Sequence, residues 1–294
     1  MVKHKMPPLA TVEGISRHFT VGQIVRLETG KVLSFEEFIA QLETRDLVFI
    51  GEVHDNPEHH LIQVQILQAL MVRHGPITVA MEFFQKPQQA VIDRYLLGKS
   101  SELEFLKDVG WEKQWSFDYS FYRPLMLAVK EKGGEILAIN APSDIVKKVA
   151  RSGLNALEPD ERSLLAKNIV LDNEGHRTYL QDVFNNEAHG HLANFDFFYE
   201  AQCVWEDTMA QNIAGSLEGS DEVLIALTGN GHIINKFGIP DRTAARIPAD
   251  MVTVLLKPIE AGLTIDRESA DYVWLTGKYS RRSTFAHPKH HRMK

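Results

Sequence analysis

Cysteine occurs once in the 294 residues, as Cys203. One thiol builds neither an intramolecular disulfide framework nor a multi-thiolate zinc or iron–sulfur site. Long apolar runs are missing too: no segment approaches the roughly 18 uninterrupted apolar residues of a membrane span, so no transmembrane segment is expected. The opening "MVKHKMPPLATVEG" has no apolar core of signal-peptide length. An excess of basic charge is absent as well. Lys and Arg number 32 against 39 Asp and Glu, a formal net charge of −7 with pI near 6.0. Phosphate backbones and anionic headgroups do not attract such a surface, which excludes a general nucleic-acid or membrane binder. There is no GxSxG elbow, no GxxxxGKS/T phosphate loop and no GxGxxG after a strand; "TGNGH" offers two glycines only.

What is present is a core. Hydrophobic residues make up 44% and charged residues 24% of the chain, the balance of one large domain, with or without an insertion. Five segments have strand-like composition: "DLVFIGEV" (46–53), "ITVAMEF" (77–83), "GEILAIN" (134–140), "EVLIALTG" (222–229) and "MVTVLLK" (251–257). Their nearly continuous apolarity suits strands covered on both faces in a parallel sheet. Helical patterns lie between them. After "DNP", where Asn56 can cap and Pro57 can open the first turn, Leu61, Ile62, Val64, Ile66, Leu67, Leu70 and Met71 recur at helical spacing. "YRPLMLAVKEKGG" reads as a helix closed by glycine. The expected fold class is α/β: a mostly parallel central sheet flanked by helices. From about 143 to 215 the strand signal disappears, and a helical insertion covering the carboxyl ends of the strands is expected within a single domain. The basic, His-rich stretch 283–294 reads as a disordered tail.

The polar residues collect where those strands end. Glu52 and His54, two positions apart, share a face at the end of the first strong strand. Glu82 ends the second, Asn140 the third, and His232 follows the fourth in a Gly-flanked turn. In open α/β sheets the crevice outside the carboxyl ends of the strands is where ligands bind. Two imidazoles and two carboxylates suit zinc, iron or manganese, and suit equally a metal-free acid/base pair. His59 and His60 fall in the first helical turn, where histidines are more often solvated than ligating. "WEKQWSFDYSFYRP" (111–124) and "FDFFYEAQCVW" (195–205) supply aromatic packing. A cover rich in such rings above polar strand ends would form an apolar cleft with convergent polar groups.

"FIGEVHDNPEHH", "VAMEFF", "AINAP", "WEDTMAQNI" and "LTGNGHIINKFGIPDR", in that order over roughly residues 40–250, resemble the ChaN-like haem-binding proteins of bacterial iron uptake. These belong to a wider superfamily with Tiki-type metalloproteases and erythromycin esterases. The resemblance implies an α/β core with a helical subdomain, haem as cofactor, and a role in haem or iron uptake at the cell envelope. It also implies a Glu/His constellation shared with the hydrolytic branches: Glu52 and His54 match GExH, Glu82 the strand-end glutamate, and His232 the GxGH element. Tyr119, Tyr122 and Asn140 are the candidate haem contacts, with Tyr179, Tyr199, His176 and His189 further possible iron ligands and Arg123, Arg177 and Arg242 possible propionate partners. The haem cleft would lie between sheet tips and insertion, shared across a homodimer. The alternative is a divalent-metal-dependent hydrolase of peptide or ester bonds, with Glu52, His54, Glu82 and His232 as metal ligands or catalytic groups.

Overall fold

A computed structural model describes residues 8–186, 194–220 and 222–279. The expected tail at 283–294 and His189 lie outside the described residues. The strands are β1 (Ala10–Val12), β2 (Ile15–Phe19), β3 (Ile24–Arg26), β4 (Lys31–Leu33), β5 (Leu47–Glu52), β6 (Thr78–Gln85), β7 (Glu135–Asn140), β8 (Leu224–Gly229), β9 (Met251–Pro258), β10 (Thr264–Ile265) and β11 (Tyr272–Thr276). The main sheet runs β4-β3-β11-β9-β5-β8-β6-β7, and β10-β1-β2 forms a small second sheet. From β11 to β7 every neighbouring pair is parallel, whereas β3 and β4 add an antiparallel edge. The five strands expected from composition are β5 to β9, and they include the centre of the sheet.

Burial on both faces explains why those five are nearly all apolar, although β7 is an edge strand. Every residue of β5 and of β8 is buried. Alternate side chains serve opposite faces. Val48 and Ile50 face α1 (Phe35–Leu42), α2 (Pro57–His74) and α6 (Tyr119–Lys132), while Leu47 and Phe49 face α10 (Phe195–Leu217) and α11 (Ile239–Ala244). The remaining helices are α3 (Gln89–Leu96), α4 (Glu102–Val109), α5 (Trp111–Gln114), α7 (Ser143–Ser152), α8 (Pro159–Ser163) and α9 (Glu174–Asn186). Local chemistry sets the helix ends. Asn56 Oδ1 accepts the Glu58 N–H at 3.0 Å and Pro57 opens α2. Gly133, at φ +69°, closes α6 in a left-handed conformation that a Cβ disfavours.

The connections out of adjacent strands diverge. β5 leads to α2 on one face of the sheet and β8 leads to α11 on the other, which opens a crevice at their shared carboxyl end. The cover over that end comes from two connections. Helices α3 to α6 join β6 to β7, and α7 to α10 join β7 to β8. The aromatic run 195–205 packs into its own helical core, with Phe198, Tyr199 and Cys203 buried against Phe184 and Phe195. The C-terminal half of α10, through Met209, Ala210, Ile213 and Leu217, lies flat on the sheet. Of the two aromatic segments, the one that lines an open cleft is 111–119, with α4, α5 and the start of α6 as its walls. Among the described residues no helix is long and apolar enough to cross a membrane.

Candidate functional site

β5 delivers Glu52 to the crevice, 2% exposed. Its Oε1 accepts from His54 Nδ1 at 2.8 Å and from the Tyr122 hydroxyl at 3.2 Å, and its Oε2 accepts from Gln63 Nε2 at 2.9 Å. His60 Nδ1 lies 3.3 Å from that Oε2, while its Nε2–H donates to the His54 carbonyl at 3.0 Å. The second predicted carboxylate, Glu82, sits where the β6–β7 ladder shifts register between Met81 and Gln85. Its Oε2 accepts the Gly229 N–H at 2.6 Å, so a side chain replaces the lost strand partner at the tip of β8. Asn140, ending β7, donates from Nδ2 to the Glu82 carbonyl at 2.9 Å. His232 faces Glu82 Oε1 through Nε2 at 3.5 Å, and His54 Nε2 lies 3.9 Å from the same oxygen.

The four strand-end residues named from sequence thus share one site, but not as a metal centre. Among the described residues no group of three or more His, Cys, Asp or Glu side chains is disposed to hold a metal ion. Both Glu52 oxygens and Glu82 Oε2 are taken up by imidazole, amide, hydroxyl and backbone donors, so the zinc, iron or manganese set expected from residue type does not fit this arrangement.

Helix α10 adds a group that strand-end reasoning missed. Glu206 Oε1 lies 3.3 Å from His232 Nδ1, and its Oε2 lies 3.3 Å from His176 Nε2. Arg242 approaches Glu206 at 3.4 Å, pairs with Asp207 and reaches His176 Nδ1 at 3.4 Å. Arg242, a possible propionate partner by the resemblance, is buried and does not line the cleft. Glu206 lies on the buried stripe that continues through Met209, Ala210 and Ile213, and Gln63 on the stripe of His59, Ile66 and Leu70. A polar residue on a helix's apolar stripe was the available signal.

The charges follow from these contacts. Burial opposes the imidazolium of His232, yet Glu82 and Glu206 on its two nitrogens push its pKa up to about 10. Burial likewise opposes the carboxylates of Glu82 and Glu206. The His232 charge holds Glu82 down to about 2, and His176 and His232, each 3.3 Å from one of its oxygens, do the same for Glu206. His54 is raised: burial is outweighed by its bond to Glu52 and by the charge of Glu82. His59 behaves oppositely. It is buried, not solvated; Nδ1 accepts the Val53 N–H at 2.9 Å, Nε2–H donates to Thr276, and burial drives its pKa down to about 3.

Backbone geometry crowds the site. A Cβ on Gly229 would sit 3.0 Å from the His54 ring, and one on Gly238 would sit 2.3 Å from the His232 carbonyl and 2.8 Å from Glu206 Oε1. Asn235 and Lys236, just after His232, both have positive φ, 56° and 63°, a strained pair of the kind found at functional loops.

Beside His54 opens a cleft of about 810 Å³, within the ~300–1,000 Å³ usual for small-molecule sites. Its walls include Leu103, Leu106, Trp111, Trp115, Phe117 and Tyr119, with Lys107 and Lys113 among its charged residues. Trp115 and Phe117 each lie 5.0 Å from the His54 ring, so His54, with 26% of its side chain exposed, connects cleft and buried network. Tyr119 lines the cleft, and its hydroxyl donates to Glu102 Oε1 at 3.3 Å. Tyr122 does not line it: that ring is 1% exposed and bonded to Glu52. Tyr199 and His176 are buried in the helical cover, Arg123 pairs with Glu102, and Arg177 pairs with Asp196.

A mostly parallel α/β sheet with an acid–imidazole cluster at its carboxyl edge and an aromatic cleft beside it defines the class. The chain belongs to the haem-binding uptake family of the Tiki superfamily, ChaN, whose profile matches residues 38–243. Cofacial haem-binding ChaN of Campylobacter jejuni is similar in structure, with TM-score 0.68 and 22% identity over 85% of this chain and 95% of that one. An erythromycin esterase in its open conformation shares the fold at TM-score 0.50 and 15% identity, over 81% of this chain and 77% of that one. Among curated proteins, RETICULATA-RELATED 5, chloroplastic, of Arabidopsis thaliana is 22% identical over 254 residues, 78% of this chain; the chain spans only 34% of that relative's length.

Proposed function

We propose that this chain binds haem in the cleft beside His54, as a carrier in bacterial iron or haem uptake. The observation that carries the reading is the cleft's donor set. Flat aromatic walls from Trp111, Trp115 and Phe117 suit a porphyrin face, Lys107 and Lys113 suit its two propionates, and among the described residues Tyr119 is the one cleft residue of an iron-ligating type among His, Tyr, Met and Cys. Haem would supply an iron centre there; the chain's part is to hold it and exclude water. Family membership supports the same reading. A homodimer closing two clefts together belongs to the proposal, since Leu103, 79% exposed on the cleft, is apolar surface that a second copy would cover.

Hemin titration of the purified chain tests it. A saturable Soret change with Kd of about 1 μM or tighter is expected. Tyr119→Phe should weaken binding by roughly tenfold or more and alter the charge-transfer bands. Absence of any saturable change in the unaltered chain would sink the proposal.

A second reading, hydrolysis of an ester or peptide bond without a metal, is favoured by one observation. Glu52 fixes the His54 Nδ1–H, so that in the neutral ring Nε2, 3.9 Å from Glu82, is the proton acceptor of a side chain 26% exposed beside the cleft. Chromogenic esters offered to the chain and to His54→Ala check this; equal rates in both would remove it.

A further inference from the structure

The segment "WEDTMAQNI" and the arginine of "GIPDR" take no part in holding a ligand in either reading, yet they meet at Glu206, which faces His232. Its imidazole is bounded by four groups: Glu82 from β6, Glu206 and Trp205 from α10, and His54 across Glu82. Trp205 contributes only a ring edge, at 5.9 Å and 84°. Each nitrogen of His232 therefore faces a carboxylate oxygen, at 3.5 Å for Nε2 and 3.3 Å for Nδ1. A carboxylate accepts and does not donate, so both nitrogens are called on to carry hydrogen.

Glu206 is itself clamped. Its Oε2 faces His176 Nε2 at 3.3 Å and Arg242 Nε at 3.4 Å, while Arg242 also pairs with Asp207 and donates to the Val170 carbonyl at 3.1 Å. His176 faces Arg242 through Nδ1, which must accept from the guanidinium, so its Nε2 carries the hydrogen and points at Glu206. Asp207 is held in turn by Arg246 at 2.6 Å. Glu206, His176, Asp207 and Arg242 are all 5% exposed or less. Acid and base alternate from His54 through Glu82, His232 and Glu206 to His176 and Arg242, across three helices and the tips of the sheet.

We propose that Glu206 is the positioning residue of His232: anchored by His176 and Arg242, it locks the imidazole as a double donor, so that His232 binds Glu82 and leaves His54 alone to exchange protons with the cleft. The inference deepens the hydrolytic reading and names residues for it, but its measurement needs no substrate. Without Glu206, the Nδ1–H of His232 would lose its acceptor, and the ring would be free to take the neutral form and compete with His54 for the proton. Gly238 belongs to the same device, because any Cβ there would strike Glu206 Oε1 and the His232 carbonyl together.

Nitrogen-detected NMR of the histidine rings tests this. In the unaltered chain His232 should show both ring nitrogens protonated at pH 7 to 8. In Glu206→Gln its titration should move down by about one unit or more, a roughly tenfold loss of proton affinity, and Glu206→Asp should recover part of that shift. Should Glu206→Gln fail to fold, His176→Asn, which leaves Glu206 charged but removes one anchor, should move the same titration in the same direction by less. A neutral His232 at pH 7 in the unaltered chain, or an unmoved titration in folded variants, overturns the proposal. Ester hydrolysis is assayed separately: inactive protein with the predicted ring states would retire the hydrolytic reading and leave the positioning role standing.

Discussion

Tyr122 shows how little of a residue's role follows from its type. Tyrosine ligates haem iron, but this one donates to Glu52 from a position 1% exposed. Tyr122→Phe is expected to lower stability by about 1.5–3 kcal/mol in urea unfolding, the range for a bond to a charged acceptor. Hemin affinity should be unchanged by it; a lost Soret shift would instead mark Tyr122 as the ligand. Gly238→Ala should cost about 1–3 kcal/mol by overpacking, read by the same unfolding curve; a neutral result would mean the loop gives way. Glu52, His54, Glu82 and His232 were legible because each lies in the last residues of a strand or follows one, and strands of a parallel sheet point their carboxyl ends at a common edge. Glu206, Gln63 and His176 were not, because a helix aims its side chains around a circle and periodicity reveals only which face is buried, not what it meets.

Among the elements, α2 carries the clearest local code. Asn56→Ala removes the oxygen that accepts the Glu58 N–H and should destabilise the chain by about 1 kcal/mol. Asn56→Ser keeps a capping oxygen and removes the buried, unpartnered Nδ2, so its melting temperature should stay close to that of the parent. A loss equal to that of the alanine variant would show the cap to be idle. β5 to β9 were readable from their apolar runs, whereas β1 to β4 and β11 were not. Those strands are at most five residues long and lie in the small sheet or toward the antiparallel edge of the main one, where continuous apolarity is not demanded. The two aromatic segments looked alike in composition, yet 195–205 fills a helical core and 111–119 lines the cleft.

Taken over the whole molecule, the titrating groups predict a stability optimum. Glu82 and Glu206, lowered from an ordinary 4.5 to about 2, contribute stability that is present above pH 4.5 and lost as pH falls through 2. His59, lowered from 6.5 to about 3, contributes stability present above 6.5 and lost on acidification toward 3. His232, raised from 6.5 to about 10, contributes stability complete below 6.5 and lost as pH rises through 10. Thermal melting followed by circular dichroism should therefore peak near pH 6.5 and fall on both sides. A flat profile between pH 7 and 10 would contradict the double-carboxylate grip on His232.

The sequence by itself determined the α/β class, the five strands β5 to β9, the cap of α2 and the edge of the sheet at which the polar residues gather. It could do so because each depends on spacing along the chain: period two in strands, period three to four in helices, and a cap oxygen adjacent to the helix it serves. Only the tertiary structure decided which groups pair there. Glu82 is 147 residues from the Gly229 N–H that it accepts, and Glu206 is 26 from His232. Whether a carboxylate meets a metal, an imidazole or a backbone donor depends on which elements pack against it, and the packing of α10 and α2 at the strand tips made this edge an acid–imidazole network beside an aromatic cleft.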